Sequence, residues 1–160
     1  VVFQKYYSPK KVVSYELTSD KNLAREIYFK TINDNNLDNS SFEFIPLGVG
    51  SQSRVFNGGN LDGAELVTLD QSLNHNNVGL IKMDIEGAAY DAVSGALEVI
   101  NKNRPILVLS CYHSPREFFE LKPLIEGSIN DYKFKLLNLN FVSAFELETV
   151  LIAFPSELIN

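Results

Sequence analysis

The sequence predicts an α/β fold: a mostly parallel sheet covered by helices on both faces, with an antiparallel last strand. Three observations carry that reading. Short apolar runs alternate with amphipathic helical patterns along most of the chain. The run Leu80-Ile81-Lys82-Met83 ends in Asp84, Glu86 and Gly87, and a helical pattern begins at once. A buried parallel strand looks like this when it delivers acids to the carboxyl edge of a sheet, where ligands of open α/β sheets bind. Two further apolar runs near the end of the chain are separated by only a few residues, which suggests an antiparallel closing pair.

Taken in order, residues 1–7 fit either the tail of a helix or a short strand, and Pro9-Lys10-Lys11 breaks the pattern. Val12-Val13-Ser14-Tyr15-Glu16 reads as a strand ending in an acid. Ser19 or Asp20 can cap the next helix, whose apolar stripe is Leu23, Ala24, Ile27, Tyr28 and Ile32 and whose end lies at Asn33-Asp34-Asn35-Asn36. Phe42-Glu43-Phe44-Ile45-Pro46-Leu47 is a strand running into Gly48-Val49-Gly50. Two β segments, around 53–56 and 65–69, flank Asn57-Gly58-Gly59-Asn60 as a hairpin or longer β loop, with the glycines serving turn geometry. Thr68-Leu69-Asp70-Gln71-Ser72-Leu73 forms a short helix or turn before the strand at 80–83.

Past Gly87, the spacing of Ala89, Val93, Ala96, Leu97 and Ile100 predicts one helix, stopped near Pro105, before the apolar strand Ile106-Leu107-Val108-Leu109. Ser114-Pro115-Arg116-Glu117 is a helix start, with Ser at N-cap, Pro at N1 and Glu at N3 of a capping box. Phe118, Leu121, Ile125 and Ile129 form its expected buried stripe, and Pro123 is expected to kink or restart it. The closing strands are expected at 134–139 and 148–154. With no repeat, low-complexity tract or linker, residues 1–160 read as one domain.

Composition narrows the function. The chain is 45% hydrophobic and 11% aromatic, as ordinary globular proteins are. A net charge of −6 argues against nucleic acid as the main partner, because a phosphate backbone repels such a surface. No apolar run approaches the ~20 residues a membrane helix needs, so stable membrane insertion is not expected. Cys111 is the only cysteine, which excludes an internal disulfide and a cysteine-based zinc site and suits a reducing compartment. The expected location is cytoplasmic; oligomeric state is not readable from the sequence.

Ile81-Lys82-Met83-Asp84-Ile85-Glu86-Gly87-Ala88 resembles the signature of the FkbM family of S-adenosylmethionine-dependent methyltransferases. Val67-Thr68-Leu69-Asp70 precedes it as in that family, and Gly95-Ala96, Arg104-Pro105 and Tyr112-His113-Ser114-Pro115 follow in order. Val13-Ser14-Tyr15-Glu16 resembles the family's second strand with its terminal acid, so the likeness extends from about residue 12 to 155. One departure is Ala89, where the family often carries a second glutamate. The resemblance implies a three-layer Rossmann-like class I methyltransferase sheet with S-adenosylmethionine as cofactor. It implies that Glu16 binds ribose hydroxyls, and it makes Glu16, Gly48 and Asp84 the cofactor-binding candidates.

In related folds the ribose acid lies about 20 residues beyond a glycine fingerprint, and none of the fifteen residues before Glu16 is glycine. The family's first strand and glycine loop are therefore expected to lie before Val1, with residues 1–7 ending the first helix. Two half-sheets would then lack their shared central strand.

The inferred reaction moves a methyl group from sulfonium to an acceptor hydroxyl on a small molecule: a sugar, glycolipid or polyketide-like metabolite. Asp84, Glu86 and His113 are the catalytic candidates, because each lies near the carboxyl end of an expected strand and can accept a proton. The plainer alternatives are that Glu86 caps the following helix, Asp84 holds a loop and His113 makes a local structural hydrogen bond. Asp84 and Glu86 could hold a divalent ion, but without a convincing third ligand no metal is expected. Cys111 is expected to be packed, Tyr112 either lines the acceptor pocket or covers the sheet edge, and His75 is expected to be exposed. A non-catalytic module that keeps the fold is the alternative function. A nicotinamide-dependent enzyme is disfavoured by the missing GxGxxG.

Overall fold

The structure, a computed structural model, describes residues 8–73, 77–138 and 148–158, so the expectations for residues 1–7 and for His75 lie outside the described residues. The chain divides into two compact units, one built from the residues up to Val49 and Ser53–Val67, the other from Gly50–Gln52 and the residues from Thr68 on.

In the first unit, β1 (Val12–Tyr15) and β2 (Phe42–Ile45) pair in parallel. Between them runs α1 (Lys21–Asp34), capped by Asp20, whose carboxylate accepts the Leu23 N–H at 2.9 Å. Tyr28 ties α1 to the strands: its hydroxyl lies 2.9 Å from Ser14 Oγ, and its ring packs on Phe44 at 4.8 Å between centroids. Of the expected stripe, Ile32 is buried, whereas Leu23 and Ile27 are more than half exposed. A second small sheet holds β3 (Gly48–Val49), β4 (Arg54–Val55) and β5 (Glu65–Val67), with β5 central; β4 and β5 are the expected antiparallel hairpin.

In the second unit, α2 (Leu69–Ser72) is capped by Thr68 and leads to β6 (Leu80–Met83). The helices α3 (Ala89–Ser94) and α4 (Leu97–Asn103) follow, then β7 (Ile106–Ser110), α5 (Pro115–Ser128), β8 (Tyr132–Asn138) and β9 (Thr149–Pro155). The sheet order is β6-β7-β9-β8; β6 and β7 are parallel, and β9 runs antiparallel to both its neighbours, as the closing pair requires. Its core includes Met83, Val93, Ile100, Leu107, Leu109, Leu121, Ile125 and Leu151.

Three expectations are corrected here. The single helix after Gly87 is two short ones, broken at Gly95-Ala96. A Cβ on Gly95 would meet the Gly50 carbonyl oxygen at 2.1 Å, so the chain bends where two backbones touch. The buried stripe of α5 is Glu117, Leu121 and Ile125 continued by Ile129, while Phe118 is 45% exposed. And α5 is one continuous helix through Pro123, so it does not restart there.

Candidate active site

The parallel register of β6 and β7 explains why distant residues meet. Met83 lies opposite Leu109, so Asp84, one residue past β6, comes level with the segment that leaves β7 through Cys111, Tyr112 and His113. Between Asp84 and α3 the chain reverses in a turn where Glu86 (φ 52°) and Gly87 (φ 94°) are both left-handed and Ala88 N–H donates to Ile85 C=O. Glycine adopts that conformation freely; Glu86 does so at a cost of about 1–2 kcal/mol.

The turn presents its acids to His113. The imidazole Nε2 lies 3.4 Å from Glu86 Oε2 and 3.8 Å from Asp84 Oδ1. Tyr112 stacks on the imidazole at 4.0 Å between centroids, and its hydroxyl lies 3.5 Å from Asp84 Oδ1. The phenol is pushed above its usual range by desolvation and by the negative charge of Asp84, so it stays protonated as a hydrogen-bond donor. Lys82 Nζ, 3.5 Å from Asp84, adds one cation. Glu86, His113 and Tyr112 border a cavity of about 720 Å³ whose apolar wall includes Phe118 and Phe119. Asp84, Glu86 and His113 are thus brought together.

The sequence reading missed Glu117. Its Ser114 partner does cap α5, accepting the Glu117 N–H at 3.2 Å. The Glu117 side chain, however, turns inward to 1% residue exposure, and Oε1 accepts the Ala89 N–H at 2.9 Å. Ala88, the N-cap of α3, has no side-chain acceptor, so Glu117 supplies one from another helix. That settles the plainer reading of Glu86, whose side chain does not cap α3 and is 88% exposed. Ala96, the N-cap of α4, is equally bare, and there Asp70 accepts from Val99 N–H at 2.8 Å and Glu98 N–H at 3.3 Å. Two alanine N-caps in sequence were the available signal that carboxylates must arrive from elsewhere. Cys111 is buried, as expected, with Sγ 3.3 Å from the Thr149 carbonyl; burial pushes its thiol up, which suits packing and not nucleophilic attack.

The other two candidates belong to the first unit. Glu16 follows β1 directly, with its N–H donating to Ile45 C=O, and its side chain is exposed with no cation paired to it among the described residues. Gly48 is buried, and a Cβ there would lie 2.6 Å from Leu66 Cδ2 and 2.9 Å from Leu17 Cδ1. Close packing accounts for that glycine without a ligand. Among the described residues no group of three or more His, Cys, Asp or Glu side chains is disposed to hold a metal ion, and no helix is long and apolar enough to cross a membrane.

The sequence matches the family model of the methyltransferase FkbM domain over residues 5–142, and the chain belongs to that family. Its fold is that of the Rossmann-like class I methyltransferases. The crystal structure of methyltransferase FkbM from Methylobacillus flagellatus KT is similar at a TM-score of 0.75 and 22% identity, over 91% of this chain and 36% of that one. An rRNA methylase from Streptococcus thermophilus matches at a TM-score of 0.54 and 12% identity, over 91% of this chain and 73% of that one. A putative rRNA-methylase from Clostridium thermocellum matches at 0.54 and 16%, over 91% and 72%. This chain therefore spans 36% of the length of the FkbM structure it matches. No curated protein matches it.

Proposed function

We propose that the protein is an S-adenosylmethionine-dependent methyltransferase that methylates a hydroxyl on a small molecule, a sugar, glycolipid or polyketide-like metabolite, with His113 as proton acceptor. The observation that carries the reading is the His113 imidazole beside Asp84 and Glu86, at the border of a cavity by the carboxyl ends of parallel strands. When bound, S-adenosylmethionine supplies an electrophilic methyl group and departs as a neutral thioether. His113 Nε2 takes the hydroxyl proton as the new O–CH₃ bond forms, and the resulting imidazolium lies next to two carboxylates that stabilise its charge. Phe118 and Phe119 offer an apolar wall for the non-reacting part of the acceptor.

The chain's residues suit the cofactor at one point that can be tested by itself. Glu16 is an exposed carboxylate just past a parallel strand, free to accept hydrogen bonds from both vicinal ribose hydroxyls. Asp84, the second cofactor-side candidate, occupies the equivalent place past β6. Calorimetric titration with S-adenosylmethionine, with NADH as the contrast, tests the reading. Binding of the first and not the second is expected, and Glu16→Gln should weaken it by about 1–3 kcal/mol. Failure of both this chain and one extended upstream of Val1 to bind S-adenosylmethionine would favour a non-catalytic module with the same fold.

A further inference from the structure

Among the described residues, two buried side-chain polar atoms have no hydrogen-bond partner: His113 Nδ1 and Glu117 Oε2. They face each other at 3.9 Å, the histidine just before the N-cap of α5 and the glutamate at N3, four residues on. The glutamate is held from its other end, because Oε1 is fixed by the Ala89 N–H. A buried polar atom without a partner costs about 1–3 kcal/mol, so a movement of about 1 Å that brings the pair to hydrogen-bond distance is favoured.

We propose that Glu117 is a positioning residue that fixes the tautomer of His113, keeping the proton on Nδ1 and leaving the lone pair of Nε2 toward Asp84 and Glu86. This rests on the reading of His113 as proton acceptor, since only an unprotonated Nε2 can take a proton from a hydroxyl. A carboxylate accepts and cannot donate, and the Glu117 side chain has no exposed surface, so only an Nδ1–H can satisfy its Oε2. Glu86 and Asp84, at 88% and 40% side-chain exposure, take their hydrogen bonds from water and leave Nε2 unprotonated. Tyr112, stacked on the imidazole, and Ser114, engaged as the cap of α5, do not compete for Nδ1.

Long-range ¹⁵N–¹H correlation of the histidine rings tests this without cofactor or acceptor, so its outcome is separate from that of the methyltransferase reading. His113 is assigned against His75, the only other histidine, with a His75→Asn variant. In the wild-type protein, at a pH where His113 is neutral, the Nδ1–H pattern is expected; an Nε2–H pattern would overturn the proposal. Glu117→Gln retains an amide oxygen for the Ala89 N–H and turns its NH₂ toward Nδ1, so the tautomer should invert to Nε2–H. An unchanged tautomer in that variant would mean a merely structural role. Should the variant not fold, the wild-type pattern alone decides.

Discussion

Glu117→Ala is the perturbation that best probes how this site is held together. The wild-type carboxylate gives α3 its acceptor: Oε1 receives the N–H of Ala89, a residue with no exposed surface, at 2.9 Å. A hydrogen bond to a charged group contributes about 1.5–3 kcal/mol, and its loss here strands a buried donor that Ala88 cannot satisfy. The expected cost is about 2–3 kcal/mol. Because the chain forms two units, a single melting transition is a poor measure of that cost, and native-state hydrogen exchange in α3 is the better assay. Protection of the Ala92 amide, which donates to Ala88 C=O, should fall by about 30- to 150-fold, while Glu117→Gln, which keeps an acceptor, should lose less than about tenfold. Equal protection in wild type and Glu117→Ala would refute the claim that Glu117 caps α3.

Three further outcomes follow from the same physical reasoning. Asp70→Ala removes the acceptor from the N-terminus of α4 and should cost about 1–2 kcal/mol, read as a roughly 5- to 30-fold loss of hydrogen-exchange protection at the Ile100 amide, which donates to Ala96 C=O, whereas Asp70→Asn should recover most of it. Glu86→Gly relieves a left-handed residue and should raise stability by about 1 kcal/mol while removing a carboxylate 3.4 Å from His113; a loss of stability would show that Glu86 is held there by contacts worth more than the strain. Glu157, bonded to Arg104, has its carboxyl lowered to about 2 from the usual 4.5, so its stabilising effect is full above pH 4.5 and lost as pH falls toward 2; Arg104→Ala should flatten that part of the acid-unfolding curve, and an unchanged curve would contradict it.

Much of this architecture was legible because its signals are local. Apolar runs located β6 and β7, Ser114 marked the start of α5 where it caps, and of the pair Ser19 or Asp20 the structure selects Asp20. The meeting of Asp84, Glu86 and His113 was foreseeable from parallel strands alone, since residues leaving the same ends must lie near one another. What escaped depended on contacts between distant segments. Glu117 satisfies a capping-box pattern in sequence, and only the packing of α3 against α5 shows that its carboxylate serves Ala89. The break at Gly95 answers to Gly50, forty-five residues earlier, which no helical periodicity can register. Phe118 fits the helical spacing of the buried stripe, yet Glu117 takes the inward place and leaves that ring at the cavity wall.

The proton-transfer role proposed for His113 is open to one direct comparison: transfer of an isotopically labelled methyl group from S-adenosylmethionine to a hydroxyl acceptor by wild type and by His113→Asn. Transfer by the wild type is expected, with a rate at least about 100-fold lower in the variant and cofactor affinity unchanged. Equal rates in the two proteins would contradict it.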